Sequence, residues 1–215
     1  EGYKIVLLSD LHDSSFGRGQ ERLLQAVARQ RPDLIAFVGD LIEGERSNIE
    51  KALQFMADLT DIAPVYYVEG NHELSSNKSA FLFEGLKQRG ISRLFNNWAV
   101  IALNNEQIII AGVGDGWGRC RLDMALEGKN PGNPCILLAH NPSILAQAAR
   151  HGVDLVLAGH HHGGQIRLLF LPALLAPSWE IFPRFDSGVY REGRCQMYLT
   201  RGLGHTGPIN FRFFN

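Results

Sequence analysis

Five short apolar runs, each followed at once by polar residues, constrain the fold of this 215-residue chain more than any other feature. Each run is nearly continuous in hydrophobic residues, a pattern typical of strands that are buried on both faces of a sheet. Such strands are usually parallel and joined by helices that cover the sheet. The runs span residues 3–9, 33–38, 64–68, 135–139 and 153–158.

Segments with helical spacing of apolar residues separate several of these runs. Ile49, Leu53 and Met56 recur at three- and four-residue spacing, which predicts an amphipathic helix. Ser47 is predicted to cap this helix, and Glu50, three residues later, completes a capping box. The alternation of strands and helices predicts an α/β fold with largely parallel strands.

The second half of the chain has a different pattern. From about Trp98 to Ala111, and again from Gln165 to Phe214, the apolar runs are shorter, alternate more and are punctuated by Gly and Pro. This pattern predicts antiparallel or mixed sheet. No internal repeat, low-complexity tract or linker divides the sequence. We therefore expect residues 1–215 to form a single domain of two stacked mixed sheets with helices outside.

Composition excludes several classes of protein. The 21 Lys and Arg balance 22 Asp and Glu, so the chain lacks the basic surplus typical of nucleic-acid binding proteins. Three widely separated Cys form neither a disulfide framework nor a zinc ribbon. The longest apolar run, 168–177, is interrupted by Pro172 and is too short to span a membrane. The sequence begins at Glu1 without an initiator Met and enters a strand almost at once, so we expect that an upstream signal or anchor is missing from it. The expected location is the cytoplasm or the periphery of the cytoplasmic membrane.

Metal-binding residue types follow all five apolar runs. Ligands of α/β sheets bind outside the carboxyl ends of the strands, so these residues are expected to converge on one rim. Their oxygen and nitrogen atoms suit Mn, Fe, Zn or Mg, and soft thiolates are absent. Seven such residues are too many for one tetrahedral ion and fit two ions that share a carboxylate. The strand-end clusters that contain the candidates are Asp10-Leu11-His12, Gly39-Asp40, Gly70-Asn71-His72-Glu73, His140-Asn141 and Gly159 to Gly164.

The order of these motifs resembles the calcineurin-like metallophosphoesterases over nearly the whole chain. The elements D-x-H, G-D, G-N-H-E, a lone H and G-H-x-H all occur in that order. Four segments resemble a narrower bacterial branch: Ser9 to His12, Pro32 to Ile35, the extended G-H-x-H-G-G-Q motif from Gly159 to Gln165 and the R-G-L-G segment from Arg201 to Gly204. The resemblance implies a sandwich of two mixed sheets flanked by helices.

The resemblance also implies a role for each residue of the site. Two divalent ions, with Mn favoured, are expected to share Asp40, and His72 is expected to face the scissile phosphate and to stabilise or protonate the departing oxygen. A water molecule that bridges two such ions has its pKa lowered from about 15.7 toward about 7, and the resulting bridging hydroxide is a nucleophile at neutral pH. The implied ligands are Asp10, His12, Asp40 and His162 for one ion, and Asp40, Asn71, His140 and His160 for the other.

We therefore predict a binuclear metal-dependent phosphoesterase of the phosphodiesterase or pyrophosphatase type. A lipid-linked or nucleotide-sugar diphosphate, such as UDP-2,3-diacylglucosamine, is one candidate substrate, and the apolar segment 168–179 with its Trp179 is its only local support. That segment predicts either a peripheral membrane contact or a buried strand and packed turn. A nuclease, a nucleotide phosphodiesterase and a catalytically silent scaffold remain the alternatives. The sequence does not define the oligomeric state.

A few polar residues near these motifs have weaker claims to a function. His161 should point away from its two neighbours and take a rim or structural role. His151 is expected to be structural, and for His205 a structural role and a place at the rim of the site are equally open. Asp13 is either a carboxylate that orients His12 or a solvated loop residue. Glu43 is expected at most to contact a metal ligand, without binding an ion itself.

Overall fold

The computed structural model describes residues 2–103, 106–116, 118–164, 166–167, 173–175, 181–204 and 211–212. Their helices are α1 (Glu21–Gln30), α2 (Ile49–Thr60), α3 (Asn71–Ser75), α4 (Ser79–Gln88), α5 (Leu122–Ala125) and α6 (Leu145–Arg150). The strands of the first half are β1 (Ile5–Leu8), β2 (Leu34–Val38), β3 (Val65–Val68), β4 (Ser92–Arg93), β5 (Asn97–Leu103) and β6 (Glu106–Gly112). The remaining strands are β7 (Cys135–Leu138), β8 (Leu155–Ala158), β9 (Ile166–Arg167), β10 (Ala173–Leu175), β11 (Gly188–Glu192), β12 (Cys195–Leu199) and β13 (Phe211–Arg212).

Two sheets carry most of these strands. The first has the order β1-β2-β3-β4 and is parallel throughout, because helical crossovers join its strands. The second has the order β11-β12-β8-β7-β6-β5, with four parallel central strands and an antiparallel strand at each edge. Strands β10, β9 and β13 form a small third sheet that the sequence did not predict.

The two larger sheets pack face to face through an apolar layer. Val38 and Val68 of the first sheet meet Ile110, Leu138 and Leu157 of the second in one buried cluster. A second cluster joins the first sheet to α1, α2 and α4, and a third joins the second sheet to α5 and α6. The predicted architecture, two stacked sheets flanked by helices, is therefore confirmed, although the first sheet is purely parallel.

Strand β2 explains the continuous apolar runs. Its five residues are fully buried. Leu34, Ala36 and Val38 face the other sheet, whereas Ile35 and Phe37 face the helices. Because both faces of the strand are covered, neither set of alternating positions is available to polar side chains.

The prediction that Ser47 caps α2 is wrong, because the cap is the next residue. Asn48 is the N-cap, and its side chain accepts a hydrogen bond from the backbone N–H of Lys51. The hydroxyl of Ser47 instead accepts from the backbone N–H groups of Glu43 and Gly44 and donates to the Asp13 carboxylate. Ser and Asn are both good caps, so the sequence alone could not separate these neighbours.

No helix in the part of the chain that the structure describes is long and apolar enough to cross a membrane. Most of the predicted apolar contact segment lies outside the described residues, which include only the strand Ala173–Leu175 within it. Gln165, Trp179 and His205 also lie outside them.

Candidate metal centre

The loops that follow the five central strands meet at one end of the sandwich. The backbone N–H of Asp10 donates to the carbonyl of Gly39 at 2.9 Å, which joins the first two loops. In the second sheet, the N–H of Gly159 donates to the carbonyl of His140 at 3.1 Å. These two contacts join four of the five loops in pairs, and the distances between the donor atoms show that the structure brings all seven predicted ligands to a single rim.

One group of donor atoms consists of Asp10, His12, Asp40 and His162, which are all buried. The Nε2 atoms of His12 and His162 are 3.1 Å apart, and His162 Nε2 is 3.4 Å from Asp10 Oδ1. His12 Nε2 is 3.6 Å from Asp40 Oδ2. One donor atom from each of the four residues lies within 4.8 Å of the others, which is the spacing expected of ligands around a cation.

A second group contains Asp40, His140 and His160, whose donor atoms also lie within 4.8 Å of one another. His140 Nε2 is 3.2 Å from Asp40 Oδ2 and 3.1 Å from both His160 Nδ1 and Asn71 Oδ1. One nitrogen and two oxygens, each from a different loop, thus surround Nε2 of His140. The Asn71 oxygen adds a fourth donor, so this group also has the composition of a divalent cation site.

Asp40 belongs to both groups. Its Oδ2 lies near His12 Nε2 and His140 Nε2, while its Oδ1 accepts a hydrogen bond from the backbone N–H of His72 at 3.0 Å. Burial opposes ionisation of this carboxyl, but His140 and His12 hold its pKa well below the ordinary value. Burial likewise opposes a charge on His140, but Asp40 raises the pKa of that imidazole well above normal. The two groups are therefore electrostatically linked through one carboxylate.

The rings of His12 and His140 are oriented by acceptors behind them. His140 Nδ1 lies 2.8 Å from the carbonyl oxygen of Val38, so Nδ1 carries a proton, and in the neutral ring Nε2 presents its lone pair to the donor group. His12 Nδ1 lies 2.6 Å from Glu43 Oε2, which has the same effect. The hypothesis that Asp13 orients His12 is not supported, because the Asp13 carboxylate binds Ser47; Glu43 holds that position.

His72 lies at the solvent edge of this cluster. It belongs to the first turn of α3, and its side chain is 22% exposed. Its Nδ1 donates to the carbonyl oxygen of Glu43 at 2.9 Å, and its ring centroid is 4.6 Å from that of His12. The predicted catalytic imidazole is thus beside the first donor group and in reach of a molecule that enters from solvent.

Two other histidines take the structural roles that the sequence predicts. The buried His161 ring turns to the carbonyl of Phe185, and His151 Nδ1 lies 2.9 Å from the carbonyl of Gln147 at the end of α6. Neither residue belongs to a donor group among the described residues.

Glu73 is a functional residue that sequence reasoning missed. Its carboxylate is completely buried and accepts from the backbone N–H groups of Asp40 at 2.9 Å, Gly70 at 2.7 Å and Ile42 at 3.1 Å. Burial and the nearby Asp40 raise the pKa of Glu73 to about 7. Glu73 therefore fixes the loop of Asp40 to the loop of Asn71. Its place directly after His72 in the Gly-Asn-His-Glu motif was the available signal.

Five of the seven predicted ligands have left-handed backbone conformations. Their φ values are 54° for Asp10, 45° for His12, 53° for Asp40, 76° for His160 and 53° for His162. Non-glycine residues rarely adopt this conformation, and they keep it only where the surrounding structure holds them. The chain thus turns sharply at each ligand, and the neighbouring hydrogen bonds maintain the turns.

The late Arg-Gly-Leu-Gly segment packs directly against the first loop. Leu203 N–H donates to the Ser9 carbonyl at 3.0 Å, and Gly204 N–H donates to the Asp10 carbonyl at 2.6 Å. A side chain at Gly202 would collide with Asp10, and one at Gly204 would collide with the backbone of Leu11. Only glycine permits this close approach. The sequence reasoning noted this segment as a resemblance but gave it no structural role.

The fold and the donor atoms together define a class of protein, an αββα sandwich with a site for divalent cations at its strand ends. Residues 3–164 match the family described as calcineurin-like phosphoesterases. The chain belongs to this family and is a metal-dependent phosphoester hydrolase. The match ends at Gly164, before Gln165, so membership of the narrower branch stays a prediction.

Individual relatives agree with this family. The chain is 35% identical over 209 residues to phosphodiesterase YaeI of Escherichia coli (strain K12), covering 94% of this chain and 75% of that protein. It is 32% identical over 223 residues to a Danio rerio protein named transmembrane protein with metallophosphoesterase domain, covering 96% of this chain and 49% of that protein. The crystal structure of phosphopantetheinyl hydrolase from Mycobacterium tuberculosis shares the fold, with a TM-score of 0.57, 14% identity and coverage of 94% and 91%.

Proposed function

We propose that this protein is a binuclear phosphodiesterase or pyrophosphatase-type hydrolase. The observation that carries the proposal is the Asp40 carboxylate, which is shared by two groups of buried or partly buried nitrogen and oxygen donors. A carboxylate between two donor groups suits two cations that lie close together. The name of the Escherichia coli relative, phosphodiesterase, supports a diester substrate.

Each ion has its own proposed ligands. Asp10, His12, Asp40 and His162 would hold one ion, and Asp40, Asn71, His140 and His160 would hold the other. Mn is favoured, and Fe, Zn and Mg are the alternatives, because all four accept oxygen and nitrogen ligands. Two bound ions would activate a shared water or hydroxide as the nucleophile and offset the charge of the phosphoryl oxygens.

The protein residues supply positioning and proton transfer. The Val38 carbonyl and the Glu43 carboxylate fix the rings of His140 and His12, so their Nε2 atoms face the donor groups. Because His72 Nδ1 is held by the Glu43 carbonyl, Nε2 is the nitrogen that remains to stabilise or protonate the departing oxygen. We therefore assign His72 as the catalytic residue.

Metal depletion and reconstitution test this proposal. Hydrolysis of bis-p-nitrophenyl phosphate should vanish after EDTA treatment and return with Mn, and mass spectrometry should find two ions per active chain. His160→Ala should lose activity and one ion. His151→Ala is the matched control, because His151 bonds only within α6. Full turnover in EDTA, or by His160→Ala, would refute the metallohydrolase proposal.

A lipid-linked or nucleotide-sugar diphosphate remains our finer substrate hypothesis, with peripheral contact of residues 168–179 to the cytoplasmic membrane. Its support is the apolar composition of that segment. Liposome flotation of Leu174→Asp/Leu175→Asp beside the wild-type protein tests the contact, and equal flotation would contradict the membrane contact.

Nuclease activity is tested by adding single-stranded DNA to the substrate panel. A silent scaffold is disfavoured because all seven candidate ligands are retained.

We also propose that residues 1–215 act as one domain. The apolar layer shared by the two sheets supports this proposal, because neither sheet could expose that face to water. Limited proteolysis that released a stable half of the chain would contradict it.

A further inference from the structure

A cavity of about 500 Å³ lies beside the second donor group. His140 forms part of its wall, so a molecule in the cavity is next to the metal centre. Residues 113–116, Gly118 and Cys120 of the loop after β6 form one side, and the beginning of α6 with the turn before it forms the other. The position suits the part of a substrate that extends away from the phosphate.

The described lining of this cavity combines apolar and polar surface and contains no Lys or Arg. The loop side is rich in glycine, and Gly116 and Gly118 have φ values of 86° and 75°. The opposite side presents the uncharged side chains of Asn141, Ser143 and Gln147. Because the described lining holds the Asp115 carboxylate and no Lys or Arg, the cavity does not suit a second phosphate or a carboxylate.

Asp115 is the charged group of this lining. Its residue is 8% exposed, and its carboxylate accepts a hydrogen bond from the backbone N–H of Gly116. Within the described residues it has no salt bridge, because the guanidinium of nearby Arg119 is 2.7 Å from Glu69 instead. Burial raises the pKa of Asp115. A buried carboxylate is costly unless donors bind it, and the favourable interactions of Asp115 include the backbone N–H of Gly116 and the imidazole of His140 on the same cavity wall.

We propose that this cavity binds one ester group of a phosphodiester substrate, and that Asp115 selects a group that donates hydrogen bonds, an ammonium or a hydroxyl. The inference rests on the proposed function, because it concerns the substrate of the same centre. An ammonium would form a charge-assisted hydrogen bond with Asp115, whereas a carboxylate would be repelled. Asp115 is thus a specificity-determining residue.

Three p-nitrophenyl phosphodiesters test the inference, since they share a leaving group and differ only at the end of the second ester group. These groups are 5-aminopentyl, 5-hydroxypentyl and 4-carboxybutyl. We expect the wild-type kcat/KM to be highest for the amine and lowest for the carboxylate. Asp115→Asn keeps the shape of the side chain and should reduce the amine-to-carboxylate ratio about tenfold or more, the value of one charge-assisted hydrogen bond.

Two further variants complete the experiment. Asp123→Asn removes the same charge from an exposed carboxylate that pairs with Arg121, and it should leave the ratio unchanged. Gln147→Glu adds a charge on the opposite wall and should increase the ratio, which provides a test even if Asp115→Asn does not fold. Metal content is measured in every protein.

The outcomes separate the two proposals. If the wild-type protein hydrolyses the diesters with Mn but both Asp115→Asn and Gln147→Glu leave the ratio unchanged, the Asp115 inference is wrong and the proposed function stands. If no diester is hydrolysed in a metal-dependent manner, the proposed diesterase function fails and the inference fails with it.

Discussion

The two large sheets contribute different chemistry to one centre. The parallel first sheet supplies every oxygen donor, from Asp10, Asp40 and Asn71. The mixed second sheet supplies only imidazoles. Each of the two donor groups that share Asp40 contains residues from both sheets, so neither sheet alone holds a complete ligand set for either proposed ion. The site therefore depends on the packing of the sandwich as much as on the identity of its ligands.

Direct contacts between the loops of the two sheets maintain this arrangement. His140 of the second sheet donates to the carbonyl of Val38 in the first. A side chain at Gly39 would meet His140 Nδ1 and the backbone of Gly70. The imidazole of one sheet thus fits against backbone in the other, and the following predictions test how far each sheet depends on its partner.

Asp40→Asn should have the largest effect, because it removes the one charge that both donor groups share. We expect kcat/KM for bis-p-nitrophenyl phosphate to fall about 10³-fold, the loss of several kcal/mol of transition-state stabilisation. Metal content should fall for both sites. Asp123→Asn is the exposed control. Retention of two tightly bound ions would mean that Asp40 does not connect the groups.

Gly39→Ala tests the contact between the sheets. The residue has a φ of 86°, and the added methyl would displace His140, so we expect activity to fall about 10²-fold as the ligand moves. Gly90→Ala has a similar left-handed φ of 75° but nothing within 4 Å of the new Cβ. It should lose stability through backbone strain and keep its activity. Equal activity losses in both variants would attribute the effect to strain alone.

Glu43→Gln tests a contact within the first sheet alone. Without the carboxylate behind His12, affinity for Mn should weaken about 10- to 100-fold at one of the two sites, as measured by calorimetry. Glu50→Gln is the control, because Glu50 forms an exposed ion pair with Arg89. Equal weakening at both sites would contradict a role confined to His12.

Leu138→Ala should have the smallest effect on activity. It removes a buried side chain from the layer between the sheets and should destabilise the fold by about 2–5 kcal/mol in urea unfolding. Leu145→Ala makes the same change between α6 and the second sheet and should cost a similar amount. Only Leu138→Ala should also weaken Mn binding, by a few-fold. An equal effect in Leu145→Ala would show that general stability, not sheet packing, governs binding.

Sequence patterns predicted the features that recur along the chain. The five buried strands and the polar residues after them follow from hydrophobicity and from the geometry of parallel sheets, which is why all seven candidate ligands could be named. Contacts that depend on the tertiary structure were not accessible. Glu73 bonds backbone N–H groups of two loops, and Glu43, not Asp13, reaches His12. Their places in the sequence motifs were the available signals, but the partners of each carboxylate are set by contacts between loops that are distant in sequence.

The packing of residues 202–204 against Asp10 has a consequence for synthesis of the chain. The backbone that supports Asp10, residues 202–204, comes much later in the sequence than Asp10 itself. At a synthesis rate of roughly 5–20 residues per second, roughly 10–40 s separate the synthesis of Asp10 from that of Gly204. During that time Asp10, His12 and Asp40 exist without their late partners. Metal loading is therefore expected to be a late event that follows completion of both sheets.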